Sequence, residues 1–148
     1  MKLATLILLP LIVAGTPEGT PADDLARVQA ELHPDKRAHM ALDNADDALK
    51  QARDTYEKGD NEATAARVEE VERSVELAES SLKQTGKNPS RNPKHFKYAE
   101  LKTRDLLRKL ESFREGMSVA DRPALDRVIG TVQKVHDALL DGIMGKNK

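Results

Sequence analysis

The chain has 148 residues, and its 24 Lys and Arg nearly balance 25 Asp and Glu, so no bulk charge directs it toward nucleic acid or an acidic surface. It contains no cysteine, which excludes a disulfide framework, a thiolate metal site and the thioether anchor of a bacterial lipoprotein. A third of the residues are charged and 3% are aromatic, a balance that favours long solvated helices over sheets.

At the N-terminus, Lys2 precedes an apolar run from Leu3 to Ala14 that is broken only by Thr5 and Pro10. This has the form of a secretory signal. A helix that crosses a bilayer needs about 20 apolar residues, and this run ends sooner, at Gly15-Thr16-Pro17. The expectation is a signal peptide over residues 1–15, export to the periplasm or the medium, and no stable membrane span once it is cleaved. The remainder, about 130 residues, fits one ordinary domain. Residues 16–33 form an N-terminal segment in which Ala22 to Leu32, through Leu25, Val28 and Leu32, is a candidate short helix.

Four longer helices follow from apolar spacing. The first runs from about Asp35 to Lys58, with Ala38, Ala41, Leu42, Ala45, Leu49, Ala52 and Tyr56 on one face, and Gly59 ends it. The second, Asn61 to Gln84, carries Val68, Val71, Val75, Ala78 and Leu82 at alternating three- and four-residue steps. Asp60 is its expected cap and Gly86 its left-handed stop. Two Asn-Pro steps in Lys87–Pro93 then break the chain.

Asn92 is the expected N-cap of the third helix and Pro93 its first residue. Its stripe is Phe96, Ala99, Leu106, Leu107, Leu110, Phe113 and Met117, ending near Gly116. Ser118 and Asp121 have the spacing of a capping box for a fourth helix that reaches Asp141, with Gly142 as its stop. Its stripe is Leu125, Val128, Val132, Val135 and Leu139, flanked by Ile129, His136 and Leu140. Short connections join antiparallel neighbours, so residues 34–142 are predicted to form an all-α, antiparallel up-down-up-down four-helix bundle followed by a basic tail, 143–148. A three-helix core with one helix displaced is the alternative.

Three local patterns resemble known families. His33-Pro34-Asp35-Lys36, followed by a helix, resembles the loop through which J-domain co-chaperones stimulate Hsp70, although the preceding stretch is acidic where that family is basic. The resemblance implies a J-domain-like co-chaperone; the plainer reading is that Pro34 breaks the chain and Asp35 suits a helix N-terminus. Tyr56-Glu57-Lys58-Gly59-Asp60 resembles a tetratricopeptide turn but occurs once, where such repeats need about three copies. Met40 and His136 are similar in layout to the axial haem ligands of four-helix b-type cytochromes. The mature region as a whole resembles small exported bacterial helical proteins of unknown function.

The residues set no recognisable catalytic triad, Gly-rich phosphate loop or paired Glu-x-x-His, so no enzyme is expected. Asp43, Asp46 and Asp47 cluster without the glycine and terminal glutamate of a calcium loop and read as a solvated face. Antiparallel connectivity would gather Lys36, Arg37, Lys83, Lys87, Arg91, Lys94, Lys97, Lys146 and Lys148 at one end. Among these, Lys87, Arg91, Lys94 and Lys97 are candidate anion ligands, because Lys94 and Lys97 stand at a helix start where the dipole disfavours cations. The opposing explanation is that this helix complements the acidic helix before it. His33, His39, His95 and His136 are the alternative metal ligands, and Met40 and His136 the alternative haem ligands.

The functional expectation is a non-enzymatic interaction or scaffold protein of the cell envelope, without a cofactor. Its partner is a protein or an anionic envelope component. Nucleic acid is not expected, since no surface alternates aromatic and basic residues. A haem- or metal-binding periplasmic bundle is the alternative.

Overall fold

Apolar side chains recur at three- and four-residue steps along most of the chain, and the backbone follows that period. A computed structural model describes residues 21–146, and the expected signal peptide lies outside them, as does Lys148. Among the described residues there are five helices: α1 (Pro21–Gln29), α2 (Pro34–Glu57), α3 (Asn61–Gln84), α4 (Lys94–Gly116) and α5 (Arg122–Ile143). The protein is all-α, with no strand among the described residues.

Local punctuation explains most of the boundaries. Pro34 occupies the first turn of α2, where its missing amide hydrogen is no loss. Asp60 accepts a 3.0 Å hydrogen bond from the Ala63 amide and so caps α3 as expected. Gly59 and Gly86 take positive φ, +76° and +67°, which lets the chain turn away at the ends of α2 and α3.

Four boundaries differ from the sequence reading. Pro93 rather than Asn92 is the N-cap of α4, and no side chain caps that end. Asp121 does not close a capping box: its carboxylate accepts from Ser118 Oγ at 2.6 Å and from the Tyr56 hydroxyl at 3.0 Å, so it joins two turns that are distant in sequence. At the other end of α5, Gly142 is helical and buried, and Gly145, at φ +70°, supplies the left-handed stop. The short helix ends at Gln29, leaving Leu32 exposed, while Leu25 and Val28 are buried.

The pairing of helices follows from their side chains. α2 packs most extensively on α3, with Arg37 against Ser81, Asn44 against Ser74 and Thr55 against Thr64. α4 packs on α5, α3 on α5 and α2 on α4, while α1 lies over α2 and α3. α3 and α4, although consecutive, share little contact. The alanines of α2 meet the valine and leucine seam of α3, and Leu106, Leu110, Leu125, Val128 and Val132 complete one continuous core.

Acidic residues of α2 and α3 meet basic residues of α4 and α5. Lys102 lies 3.1 Å from Asp43 and Lys109 lies 2.6 Å from Asp46, so these two aspartates line a helix-helix seam, while Asp47 stays exposed as expected. The expectation that the basic helix α4 complements the acidic helix α3 is therefore corrected: Lys102 and Lys109 pair with α2. Glu72 of α3 is instead met by Arg127 at 2.5 Å and Thr131 at 2.8 Å, both from α5.

Leu110 has no exposed surface, whereas Leu101 on the same helix is 56% exposed. Leu110→Ala is expected to lower the unfolding free energy by about 2–5 kcal/mol, and Leu101→Ala to change it by less than about 0.5 kcal/mol. Urea unfolding of the two variants checks this, and equal losses would contradict the assigned face of α4.

Candidate functional site

The elements expected at the basic pole do meet. Lys87, just after α3, places its ammonium 2.6 Å from Asp35 Oδ2 in the first turn of α2. A β-carbon placed on Gly145 would lie 3.9 Å from the Ser90 Cβ, so the end of α5 adjoins the Asn-Pro turn. That turn is shaped by Asn88, whose Oδ1 accepts from the Ser90 and Arg91 amides at 3.0 and 3.2 Å and from the Ser90 hydroxyl at 2.7 Å.

The cations gathered here divide into two groups. Lys36 is held by Glu31 at 2.7 Å and Lys83 by Glu79 at 2.8 Å. Arg37 donates to the Glu31 carbonyl at 2.8 Å, to Ser81 Oγ at 2.9 Å and to Gln84 Oε1. Arg91, Lys94 and Lys97 form the second group: all three are exposed, and none has an acidic partner among the described residues. Of the four candidate anion ligands, Lys87 is thus already engaged and the other three face solvent. No acidic residue stands in the first turn of α4 to offset them.

Two of the four histidines meet. His39 Nε2 and His95 Nδ1 are 3.0 Å apart, joining α2 to α4, and the His39 ring stacks on Tyr98 with centroids 4.0 Å apart. His95 Nε2 lies 3.7 Å from Asp35 Oδ2. His33 is exposed at the N-cap of α2, and His136 lies elsewhere, 3.3 Å from Thr103 Oγ1 and 3.8 Å from Glu100 Oε1. Among the described residues no group of three His, Cys, Asp or Glu is disposed to hold a metal ion. Met40 is half-buried against the core on α2, a helix whose backbone does not approach that of α5, which carries His136.

The electrostatics follow from these contacts. Hydrogen bonding from Lys87 holds the Asp35 carboxyl below its ordinary pKa, against the opposing effect of burial; its other oxygen, Oδ1, is buried without a hydrogen-bond partner. Burial, reinforced by His95 and Lys94, lowers the pKa of His39, although Asp43 and Asp35 pull the other way. At the far end Tyr56 donates to Asp121, accepts from the Ser118 amide at 2.9 Å and meets Phe113 edge-on, which closes the α2–α3 turn onto the α4–α5 turn.

Sequence reasoning missed two buried carboxylates, each with its own partners. Glu70, 3% exposed, accepts from Asn44 at 3.0 Å and from Arg67 at 2.8 Å, and Arg67 also reaches Asp24 of α1 at 3.2 Å. Glu100, 7% exposed, is held by Arg104. The only available signal was that these carboxylates fall beside apolar stripes. The set is fully paired and positions helices; it presents no open coordination.

No protein-family model, curated protein or solved structure compared with the chain matches it. No helix among the described residues is long and apolar enough to cross a membrane.

A histidine whose pKa is lowered in the fold contributes stability that is present above its unfolded value, about 6.5, and is lost as pH falls through the folded value. Urea midpoints measured from pH 7.5 to pH 5 should therefore fall below about pH 6.5, and His39→Gln should flatten that dependence. The same slope in the variant would show that another group controls it.

Proposed function

We propose that α2 to α5 form an antiparallel, up-down-up-down four-helix bundle, and that the protein acts after export as a non-enzymatic interaction or scaffold protein. It binds an anionic partner of the cell envelope through its basic pole. The arrangement is supported by the order of contacts. Partners on α3 fall in number as those on α2 rise, from Arg37–Ser81 through Asn44–Ser74 to Thr55–Thr64. Partners on α4 rise with those on α2, from His39–His95 through Asp43–Lys102 to Asp46–Lys109. In this bundle α2 and α5 sit on one diagonal and α3 and α4 on the other, with Lys87–Pro93 crossing the pole.

The observation that carries the function is the trio Arg91, Lys94 and Lys97: three exposed cations with no acidic partner among the described residues, on a turn and a helix start. Elsewhere in α4, Lys102, Arg104, Arg108 and Lys109 each meet a carboxylate. Exposed helix-start amides and the helix dipole add to the attraction for an anion.

The test is titration with polyphosphate and with vesicles containing anionic phospholipid at several salt concentrations. Affinity should fall as salt rises. A cation near an anionic surface contributes about 1 kcal/mol, so the triple change Arg91→Gln, Lys94→Gln, Lys97→Gln should weaken binding roughly 100-fold. Lys87→Gln alone should cost less, because Lys87 already holds Asp35. Binding that the triple variant leaves intact would refute the site.

A metal-carrying bundle is the second reading, and the facing nitrogens of His39 and His95 favour it. Elemental analysis of protein purified from its own compartment separates the two. Stoichiometric transition metal would establish the second reading.

A further inference from the structure

The basic pole borders an apolar cleft. Leu82 of α3, Phe96 of α4 and Leu139 of α5 form its floor, each less than 8% exposed. Lys83 and Lys87 stand on one rim with Glu79, and Ala138 and Gly142 of α5 lie on the other. The volume, about 520 Å³, falls within the range of roughly 300–1,000 Å³ common to small-molecule sites.

Size decides against a partner helix. A helix with its side chains is about 10–12 Å across and rises about 5.4 Å per turn, so each turn fills roughly 420–610 Å³. The cleft holds about one turn. A bilayer surface fits no better, since Leu82, Phe96 and Leu139 are nearly buried while the Lys83 side chain is largely exposed, so a flat lipid face meets the lysine first. A single flexible chain meets both constraints.

Charge specifies the other end of the ligand. Each lysine ammonium has three donors, while Lys83 is in an ion pair with Glu79 alone and Lys87 with Asp35 alone. The Lys83 side chain is 72% exposed. Both therefore keep donors for a further anion, and Arg91, Lys94 and Lys97 raise the local positive potential.

We propose that this cleft binds one monomeric amphiphile with a single alkyl chain and an anionic head. The chain lies over Leu82, Phe96 and Leu139, and the head sits between Lys83 and Lys87. The assignment rests on the reading of the pole as an anion-receiving end and narrows it to a ligand class.

Calorimetric titration of the full chain with dodecanoate and with uncharged dodecanol tests it. Dodecanoate should bind saturably at one per chain, and dodecanol at least tenfold more weakly. Ala138→Trp, a change at an exposed position that fills the cleft, should weaken dodecanoate at least tenfold while leaving the circular dichroism spectrum unchanged. Lys83→Gln with Lys87→Gln should remove the preference for dodecanoate over dodecanol. Absence of saturable binding, or binding indifferent to both variants, overturns the proposal.

Other occupants give distinct outcomes. If anionic vesicles bind but dodecanoate does not, the cleft assignment falls while the pole stands. If dodecanoate binds only after residues 1–15 are removed, the occupant is the chain's own apolar run, and the assignment also falls. Failure of the pole itself is read separately, from polyphosphate and the Arg91, Lys94, Lys97 triple variant.

Discussion

The close approach of α2 to α3 is the constraint on which the other contacts depend. Ala38, Ala41, Ala45, Ala48 and Ala52 recur at three- and four-residue steps along α2, and all are essentially without exposed surface. With only a methyl group at each position, the two backbones come together more extensively than any other pair. Leu42 and Leu49, beside the alanines, then project into the shared core. The helix pair formed in this way offers one apolar side, against which α4 and α5 pack.

Polar groups set the alignment of that pair. A displacement along the seam would leave Asn44 without Ser74 and Glu70, and Arg37 without Ser81. Each buried polar group stranded in that way costs about 1–3 kcal/mol. The alanine contacts alone would tolerate a shift of one heptad, since their spacing repeats. The Glu70–Arg67–Asp24 chain also ties α1 onto the same register, giving a short helix of nine residues a defined place.

Charge pairing between the helix pairs bears directly on the proposed site. Lys102 and Lys109 are bound to the aspartates of α2, and Arg127 to Glu72 of α3, so the middle of the molecule is close to balanced. Beyond the last of these seams, Arg91, Lys94 and Lys97 have no acidic partner among the described residues, and the nearby Asp35 is already held by Lys87. Arg91, Lys94 and Lys97 therefore project their charge outward, beside a cleft whose floor is hydrocarbon. A pole of exposed cations without acidic partners among the described residues and an apolar slot next to it are consequences of the same packing.

Features governed by a few adjacent residues were legible in the sequence. The limits of α3 follow from Asp60 and Gly86, and the buried stripes of α2 to α5 from apolar periodicity, because capping, glycine conformation and helical spacing act within a turn or two. The same periodicity brought the Asn-Pro turn, the start of α2 and the end of α5 to one pole. Tertiary structure alone decided which helices adjoin: a connection of this length spans either a neighbour or a diagonal, and the choice rests on pairs such as Asp43 with Lys102, 59 residues apart. It also decided that Asp121 turns to Tyr56 and away from its own helix, that Lys87 is engaged while Arg91 is not, and that Glu70 and Asn44 are interior. A polar side chain is buried or exposed, and a charge paired or free to bind, according to partners brought to it from elsewhere in the chain, and spacing along one helix carries no record of them.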